Sequence, residues 1–182
     1  MIKKLLDIYK IYFFISLLVS VILVVANIPS PYYVYILIVI GAFLTPFLYE
    51  LDFLLYAFIL DPSNEVSKNI RSLLKQKNYG GTFLYAHENS QSLENDVLRS
   101  IFMVIGVYAI GFMLLFGYSN YLAISIVLTY LLTSLYLQSL SFGNNSWRAW
   151  YSFLDFVPKE NVAKAFLAVQ YVVFVIFILK VF

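Results

Sequence analysis

The sequence predicts an all-α protein, a polytopic transmembrane helical bundle of about five spans with a cytoplasmic amphipathic helix and an interfacial aromatic helix. Hydrophobic residues make up 62% of the chain and charged residues only 12%, whereas soluble proteins carry about 25% charged residues. A chain of 182 residues cannot hide so much apolar surface from water, because small domains have a high surface-to-volume ratio. The apolar residues also fall into long uncharged runs. Residues 1–182 are therefore interpreted as a single integral membrane domain.

A helix needs about 20 mostly apolar residues to cross the hydrocarbon core of a bilayer. Five stretches approach or exceed that length, and Pro46 is a candidate kink within the second of them. The five stretches are residues 8–26, 32–60, 97–117, 121–142 and 162–182. Only residues 118–120 separate the third from the fourth, so these two spans must form an antiparallel hairpin.

The first span has a second interpretation as a cleaved signal peptide. Lys3 and Lys4 precede its apolar run, and residues 24–26 provide small side chains suitable for cleavage. Its apolar core lies at the upper end of the usual window of about 7–15 residues, and it passes directly into a second apolar stretch. We therefore favour a retained span, while cleavage stays open as the alternative.

The distribution of positive charge predicts the orientation of the bundle. Lysine and arginine cluster before the first span, between the second and third, and before the fifth, whereas residues 27–31 and 118–120 carry no charge. With five spans the three basic regions share one side, whereas four or six spans would scatter them. Because cytoplasmic loops carry the excess of Lys and Arg, the N-terminus is predicted to be cytoplasmic in a multi-pass protein of the plasma membrane. The absence of cysteine and the many Lys, Ile and Asn residues favour a prokaryotic source.

Residues 61–96 form the predicted cytoplasmic segment. Asp61 as N-cap and Pro62 at the first helical position predict the start of an amphipathic helix, with its apolar positions opposite Lys68, Arg71 and Lys75. A basic helix between two spans is expected to lie on the inner leaflet. It is interpreted as a surface helix that follows the positive-inside bias, and a sensor of lipid or of a partner is the alternative.

Residues 143–161 form the predicted interfacial segment. Both tryptophans, Trp147 and Trp150, lie in the aromatic stretch 147–156, which Pro158 ends. Trp and Tyr favour the headgroup level of a bilayer. The stretch is therefore predicted to be an interfacial anchor helix, with an aromatic substrate cage as the alternative.

A few acidic residues and the single histidine are weak candidates for ligands of a divalent metal ion. They are Glu50, Asp52, Asp61, His87 and Glu88. Ionisable groups near a span are costly and are therefore candidates for function, and carboxylates and imidazole suit a divalent cation. Glu50 would lie about 27 Å along the second span, at the inner interface. We expect these side chains to be solvated at the membrane edge, unless the central segment folds back over them.

A strip of polar side chains follows the fourth span and continues in the fifth. It consists of Ser125, Thr129, Thr133, Gln138 and Gln170. Small and hydroxylated residues let helices approach closely and form hydrogen bonds in lipid. Helix packing is the preferred interpretation, and a polar pathway for a solute would use the same residue types.

Residues 41–52 resemble a little the Gly-rich, Pro-Asp-x-Asp segment of small bacterial inner-membrane proteins described as metal-dependent hydrolases. The resemblance covers only Gly41-Ala42-Phe43-Leu44-Thr45-Pro46-Phe47-Leu48-Tyr49-Glu50-Leu51-Asp52. The Pro-Asp pair is missing here, and no His-rich companion motif follows. No activity is carried over from it.

Three functions follow as expectations. The favoured one is a small non-catalytic membrane protein that acts through helix packing, lipid contact or a partner, either another membrane protein or a second copy of the chain. The alternatives are a transporter component or solute-binding membrane subunit, and a membrane-edge protein like a metal-dependent hydrolase. A net charge of +2 gives no reason to expect nucleic acid, and the chain has no phosphate-binding loop or nucleophile elbow. No cofactor is predicted.

Overall fold

The computed structural model describes residues 2–89, 99–117, 120–152 and 157–182, with side chains from Asp7 onward. Nearly all of these residues are helical, and none of them forms a strand. The helices are α1 Ile2–Ala26, α2 Tyr32–Tyr49, α3 Leu51–Leu55, α4 Glu65–Lys75, α5 Tyr79–Glu88, α6 Ile101–Phe116, α7 Tyr121–Gly143 and α8 Glu160–Val181. A π-helical turn, Tyr56–Leu60, continues α3, and a 3-10 helix, Trp147–Tyr151, follows α7. The prediction of an all-α protein is confirmed for the described residues.

Four helices are long and apolar enough to cross a membrane, judged by length and composition. They are Asp7–Ala26 within α1, α2, α7 and α8. Helix α6 is apolar but has only 16 residues, which at 1.5 Å per residue is about 24 Å. It begins after the predicted residue 97 because Ser100 is its N-cap, accepting a 3.3 Å hydrogen bond from the backbone N–H of Met103. Residues 97 and 98 lie outside the described part of the chain.

The second predicted span, residues 32–60, is not one helix kinked at Pro46. Pro46 lies inside α2, and the helix ends at Tyr49. The chain turns at Glu50, whose backbone N–H donates to the carbonyl of Phe47 at 3.2 Å, and α3 begins at the next residue. Just beyond this turn, Asp52 accepts a hydrogen bond from the backbone N–H of Arg99, which lies 47 residues later in the chain.

The predicted amphipathic helix exists but begins later than the Asp61-Pro62 signal indicates. Its N-cap is Asn64, whose side chain accepts a 2.9 Å hydrogen bond from the N–H of Val66. Asp61 instead stabilises the preceding turn, where its carboxylate accepts from the Ser63 hydroxyl at 2.7 Å and from the Asn64 N–H at 3.2 Å. A short polar side chain can cap a helix or a turn, and here Asp61 caps the turn.

Helix α5 is a second helix within residues 61–96, where the sequence predicts only the amphipathic helix. The Asn78 side chain accepts a 3.0 Å hydrogen bond from the N–H of Gly81 and so caps the start of the helix. A Cβ at Gly81 would come within 2.6–2.8 Å of the Asn78 side chain. Gly81 therefore permits this cap, although a glycine pair is more often the end of a helix.

Helix α7 is the central helix, since it contacts α1, α2, α6 and α8. Its side chains Leu128, Leu131 and Leu135 are fully buried in the main apolar core. The closest approach is to α2 at Gly41, where a Cβ would lie 2.0 Å from the Ser125 Oγ and 2.6 Å from the Leu122 carbonyl oxygen. Only glycine permits this spacing between the two helices.

A second apolar cluster joins α3, the π-helical turn, α4 and α5. Its buried members are Phe53, Tyr56, Ala57, Ile70 and Ala86. Helix α5 also contacts α1, so this group of short helices, called here the α3–α5 layer, packs against the bundle at the end where α2 stops.

Candidate functional site

The structure buries the whole predicted polar strip between helices. Ser125, Thr129, Thr133, Gln138 and Gln170 are each at most 3% exposed. The hydroxyls of Ser125 and Thr133 donate to carbonyls of α7 itself, and the Thr129 hydroxyl has no hydrogen-bond partner among the described residues. The strip therefore faces the neighbouring helices of the bundle.

The two glutamines of the strip form a reciprocal amide pair that joins α7 to α8. The Gln138 Nε2 donates to the Gln170 Oε1 at 3.1 Å, and the Gln170 Nε2 donates to the Gln138 Oε1 at 3.0 Å. Helix α6 joins the pair through the Tyr108 hydroxyl, which donates to the Gln170 backbone carbonyl at 2.8 Å. Three helices are thus held together at one level of the bundle. The sequence indicated that both glutamines were notable, but it gave no sign that they meet or that Tyr108 contributes.

A second interhelical contact was not foreseen from the sequence. The Tyr49 hydroxyl donates to the Tyr130 carbonyl at 2.8 Å and lies 2.6 Å from the Ser134 hydroxyl. The rings of Tyr49 and Tyr130 stack with their centroids 4.8 Å apart. Tyr49 was hidden among 16 tyrosines, and only its position two helical turns beyond Gly41 marks it as a residue on the face toward α7.

The acidic residues at the end of α2 are buried, which corrects the expectation that they are solvated. Glu50 is 6% exposed and Asp52 is 5% exposed. The Asp52 carboxylate accepts a 3.1 Å hydrogen bond from the backbone N–H of Arg99. Glu50 lies at the turn between α2 and α3, and Asp52 lies in the first turn of α3.

Arg99 brings positive charge to this end of the bundle. Its charge acts on Tyr9, Tyr12, Tyr49 and Tyr130, and that of Glu50 acts on Tyr9 and Tyr12. The buried carboxylates of Glu50 and Asp52 and the half-buried Arg99 therefore lie near several tyrosines at this end of the bundle.

The remaining candidate metal ligands lie outside this buried group. His87 and Glu88 are exposed at the end of α5, and Asp61 is occupied by its turn. Partial burial, followed by the positive charge of Arg99, lowers the pKa of His87, and hydrogen bonds from Ser63 and Asn64 lower that of Asp61. Within the described ranges, no three side chains of His, Asp or Glu lie close enough together to share a metal ion. The metal site stays a hypothesis.

The aromatic stretch after α7 packs against protein. Trp147, Trp150 and Tyr151 are each at most 6% exposed, and the Trp147 ring stacks on Phe142 with centroids 5.7 Å apart. The described part of the predicted interfacial helix is the 3-10 helix alone, since residues 153–156 lie outside the description. These rings close one end of the main core.

Comparison with known proteins supplies no relative for this site. No family model, curated protein or solved structure matches the chain. The likeness of residues 41–52 to membrane-associated hydrolases therefore provides no activity.

Proposed function

We propose that this chain is a non-catalytic, multi-pass protein of the plasma membrane with five spans and a cytoplasmic N-terminus, which acts through lipid contact or a membrane-protein partner. In this arrangement α1, α2, α6, α7 and α8 cross the bilayer. The α3–α5 layer lies at the cytoplasmic face, together with the 3-10 helix.

The apolar outer surface of the bundle carries this proposal. The outward side chains of the long helices are apolar, as Leu17, Val21 and Val25 on α1 and Val172, Val175 and Leu179 on α8 illustrate. The buried side combines the main apolar core with Ser16, Ser20 and the polar strip. Water would favour polar side chains on the outside, whereas lipid favours apolar ones there and polar groups that find hydrogen-bond partners inside the protein.

Helix α6 counts as a span because of the residues that it meets along its length. Tyr108 contacts Gln170, and one turn later Gly111 lies against Phe177 of α8 and Val127 of α7. Helix α6 thus runs parallel to α8 and antiparallel to α7 at the same depth. A bilayer that surrounds α7 and α8 must also surround α6, even though it is short, since modest mismatch is tolerated.

The use of the polar strip favours packing over a solute pathway. Gln138 and Gln170 are bonded to each other, and Ser134 is engaged by Tyr49. A transported solute would have to displace these bonds. The observed contacts therefore support a scaffold of fixed helices.

Single-cysteine labelling tests the topology without background, because the natural chain has no cysteine. Ser30→Cys, Gln76→Cys and Asn144→Cys place the probe in three different connections. A membrane-impermeant maleimide is expected to label only Ser30→Cys in intact cells and the other two after permeabilisation. Labelling of Asn144→Cys but not Gln76→Cys in intact cells would mean that α6 does not span. Labelling of Gln76→Cys in intact cells would overturn the orientation.

A pull-down in mild detergent tests the mode of action. A partner-dependent scaffold is expected to elute with a larger complex, and a variant with Gly106→Ala on the outward face of α6 serves as the folded control. A chain that runs alone would restrict the proposal to lipid contact.

A further inference from the structure

A groove lies between the π-helical turn and α4 on the outside of the α3–α5 layer. It encloses about 720 Å³ and is lined by Phe58, Lys68, Arg71, Ser72, Leu74 and Lys75. Its wall thus combines three cationic side chains with two apolar ones and the hydroxyl of Ser72.

The cations of the groove share one face of α4. Lys68, Arg71 and Lys75 recur at spacings of three and four residues, which brings them into one row. Among the described residues, no carboxylate forms an ion pair with any of them. The Arg71 guanidinium is held by the carbonyl oxygens of Pro62 and Ser67, so that its position is fixed although its charge is not neutralised.

The apolar side of the groove continues into an exposed patch. Phe58, Ile59 and Leu60 of the π-helical turn are 54%, 68% and 46% exposed. The π-helical turn comes directly after α3 in the chain. These three side chains therefore lie near the end of α2, where the proposed inner leaflet begins. Exposed aromatic and aliphatic side chains beside a row of cations match the two halves of a phospholipid, its acyl chain and its phosphate.

We propose that this groove binds the headgroup of an anionic phospholipid from the cytoplasmic leaflet, with the phosphate at Lys68, Arg71 and Lys75 and the adjoining acyl chain against Phe58. This inference rests on the proposed membrane topology, and it assigns a particular lipid class to one place on the protein. A free phosphate would engage the cations but leave the Phe58 side unused. An acidic peptide could reach these cations only by entering the headgroup region of the bilayer.

The test uses the full chain in detergent, with lipid binding measured by native mass spectrometry during titration with phosphatidylglycerol or phosphatidylcholine. The natural chain is expected to bind phosphatidylglycerol more tightly. Each cation near anionic lipid contributes about fivefold, so Lys68→Gln/Lys75→Gln is expected to weaken phosphatidylglycerol binding by about 25-fold and to reduce the preference over phosphatidylcholine by the same factor. Arg71 is retained in this variant because it also supports the turn at Pro62.

The matched control is Lys10→Gln/Lys159→Gln, which removes the same charge elsewhere on the proposed cytoplasmic face. It is expected to bind as the natural chain does, and an equal loss in the control would overturn the groove in favour of general surface charge. Phe58→Ala is expected to weaken phosphatidylglycerol binding. Equal affinity of the natural chain for both lipids, or displacement of the lipid by an equal concentration of glycerol 3-phosphate, would also overturn the inference. Cysteine labelling is independent of these results, so the two proposals can fail separately.

Discussion

Replacing Gly41 by alanine is expected to separate α2 from α7. The new Cβ would lie 2.0 Å from the Ser125 Oγ and 2.6 Å from the Leu122 carbonyl oxygen. The Ser125 hydroxyl can rotate away, but a backbone carbonyl in the central helix cannot. The contact can therefore be relieved only if one helix moves, and that movement would disturb the neighbouring bond from Ser16 of α1 to the Ala42 carbonyl.

Two other glycines provide an internal scale for this effect. At Gly111 the nearest atoms are the edge of the Phe177 ring at 2.6 Å and a Val127 methyl group at 3.0 Å, and the ring can turn. At Gly106 nothing lies within 4 Å. We expect Gly41→Ala to cost about 3 kcal/mol or more and Gly111→Ala about 1 kcal/mol, because overpacking usually costs about 1–3 kcal/mol. Gly106→Ala is expected to gain about 0.5 kcal/mol, since alanine is the better helix former.

Titration with sodium dodecyl sulfate in mixed micelles, followed by circular dichroism, measures the three unfolding free energies. We expect Gly41→Ala to have the lowest unfolding free energy, Gly111→Ala an intermediate one and Gly106→Ala the highest. If Gly41→Ala were no less stable than Gly106→Ala, the close approach of α2 and α7 would be refuted.

Three further predictions concern the polar contacts between helices and the protonation of His87 in the α3–α5 layer. Gln170→Leu is expected to lower the free energy of unfolding by about 1–2 kcal/mol, because Gln138 loses its amide partner in the core. The double variant Gln138→Leu/Gln170→Leu is expected to lose less than either single variant. A double variant that loses the sum of both single losses would contradict the pair. Tyr49→Phe should cost about 1 kcal/mol in the same titration, with Ser134→Ala as the reciprocal check and no extra loss in the combined variant. Partial burial lowers the pKa of His87 below its ordinary 6.5, so that folding favours the neutral imidazole. The free energy of unfolding is therefore expected to be complete above pH 6.5 and to fall as the pH drops below that value. A parallel fall in His87→Gln would assign the effect to another group.

The long helices could be predicted because their signal is local and repeated. Uncharged apolar runs mark α1, α7 and α8 to within a few residues, and each run is long enough for its composition to outweigh single positions. The all-α class of the described residues therefore followed from the sequence. The start of α6 could also have been placed at Ile101, since Ser100 is a favourable N-cap residue.

The break after α2 could not be predicted in the same way. Glu50 and Asp52 look like the polar end of a span, and the hydrophobic residues that follow continue the helical pattern. What accompanies the turn is a hydrogen bond from Arg99, 47 residues away. Partners so distant leave no trace in local periodicity, and the same reason explains why the meeting of Gln138 with Gln170 was not foreseen.

The two ends of α4 show a different source of error. Asp61 and Asn64 are both good cap residues, and the choice between them depends on the turn that Asp61 stabilises. Gly81 belongs to a glycine pair, which is typical of a helix end, yet it follows the Asn78 cap of the next helix. Short helices contain too few residues for composition to correct such a choice.

Because α7 packs at the centre of the bundle but is synthesised after α1, α2 and α6, the order in which the helices are made differs from the order in which they can pack. Its bonds to α2 join residues about 80 positions apart, as in the 81-residue separation of Tyr49 and Tyr130. When the ribosome has completed α1 and α2, the groups that α7 will later satisfy are still exposed to whatever surrounds the nascent chain. The early hairpin must therefore wait, with Gly41 and Tyr49 uncovered, until most of the protein has been made. A shortened chain that stops before residue 121 would display the same surface permanently, and quality control by membrane proteases would be expected to recognise it.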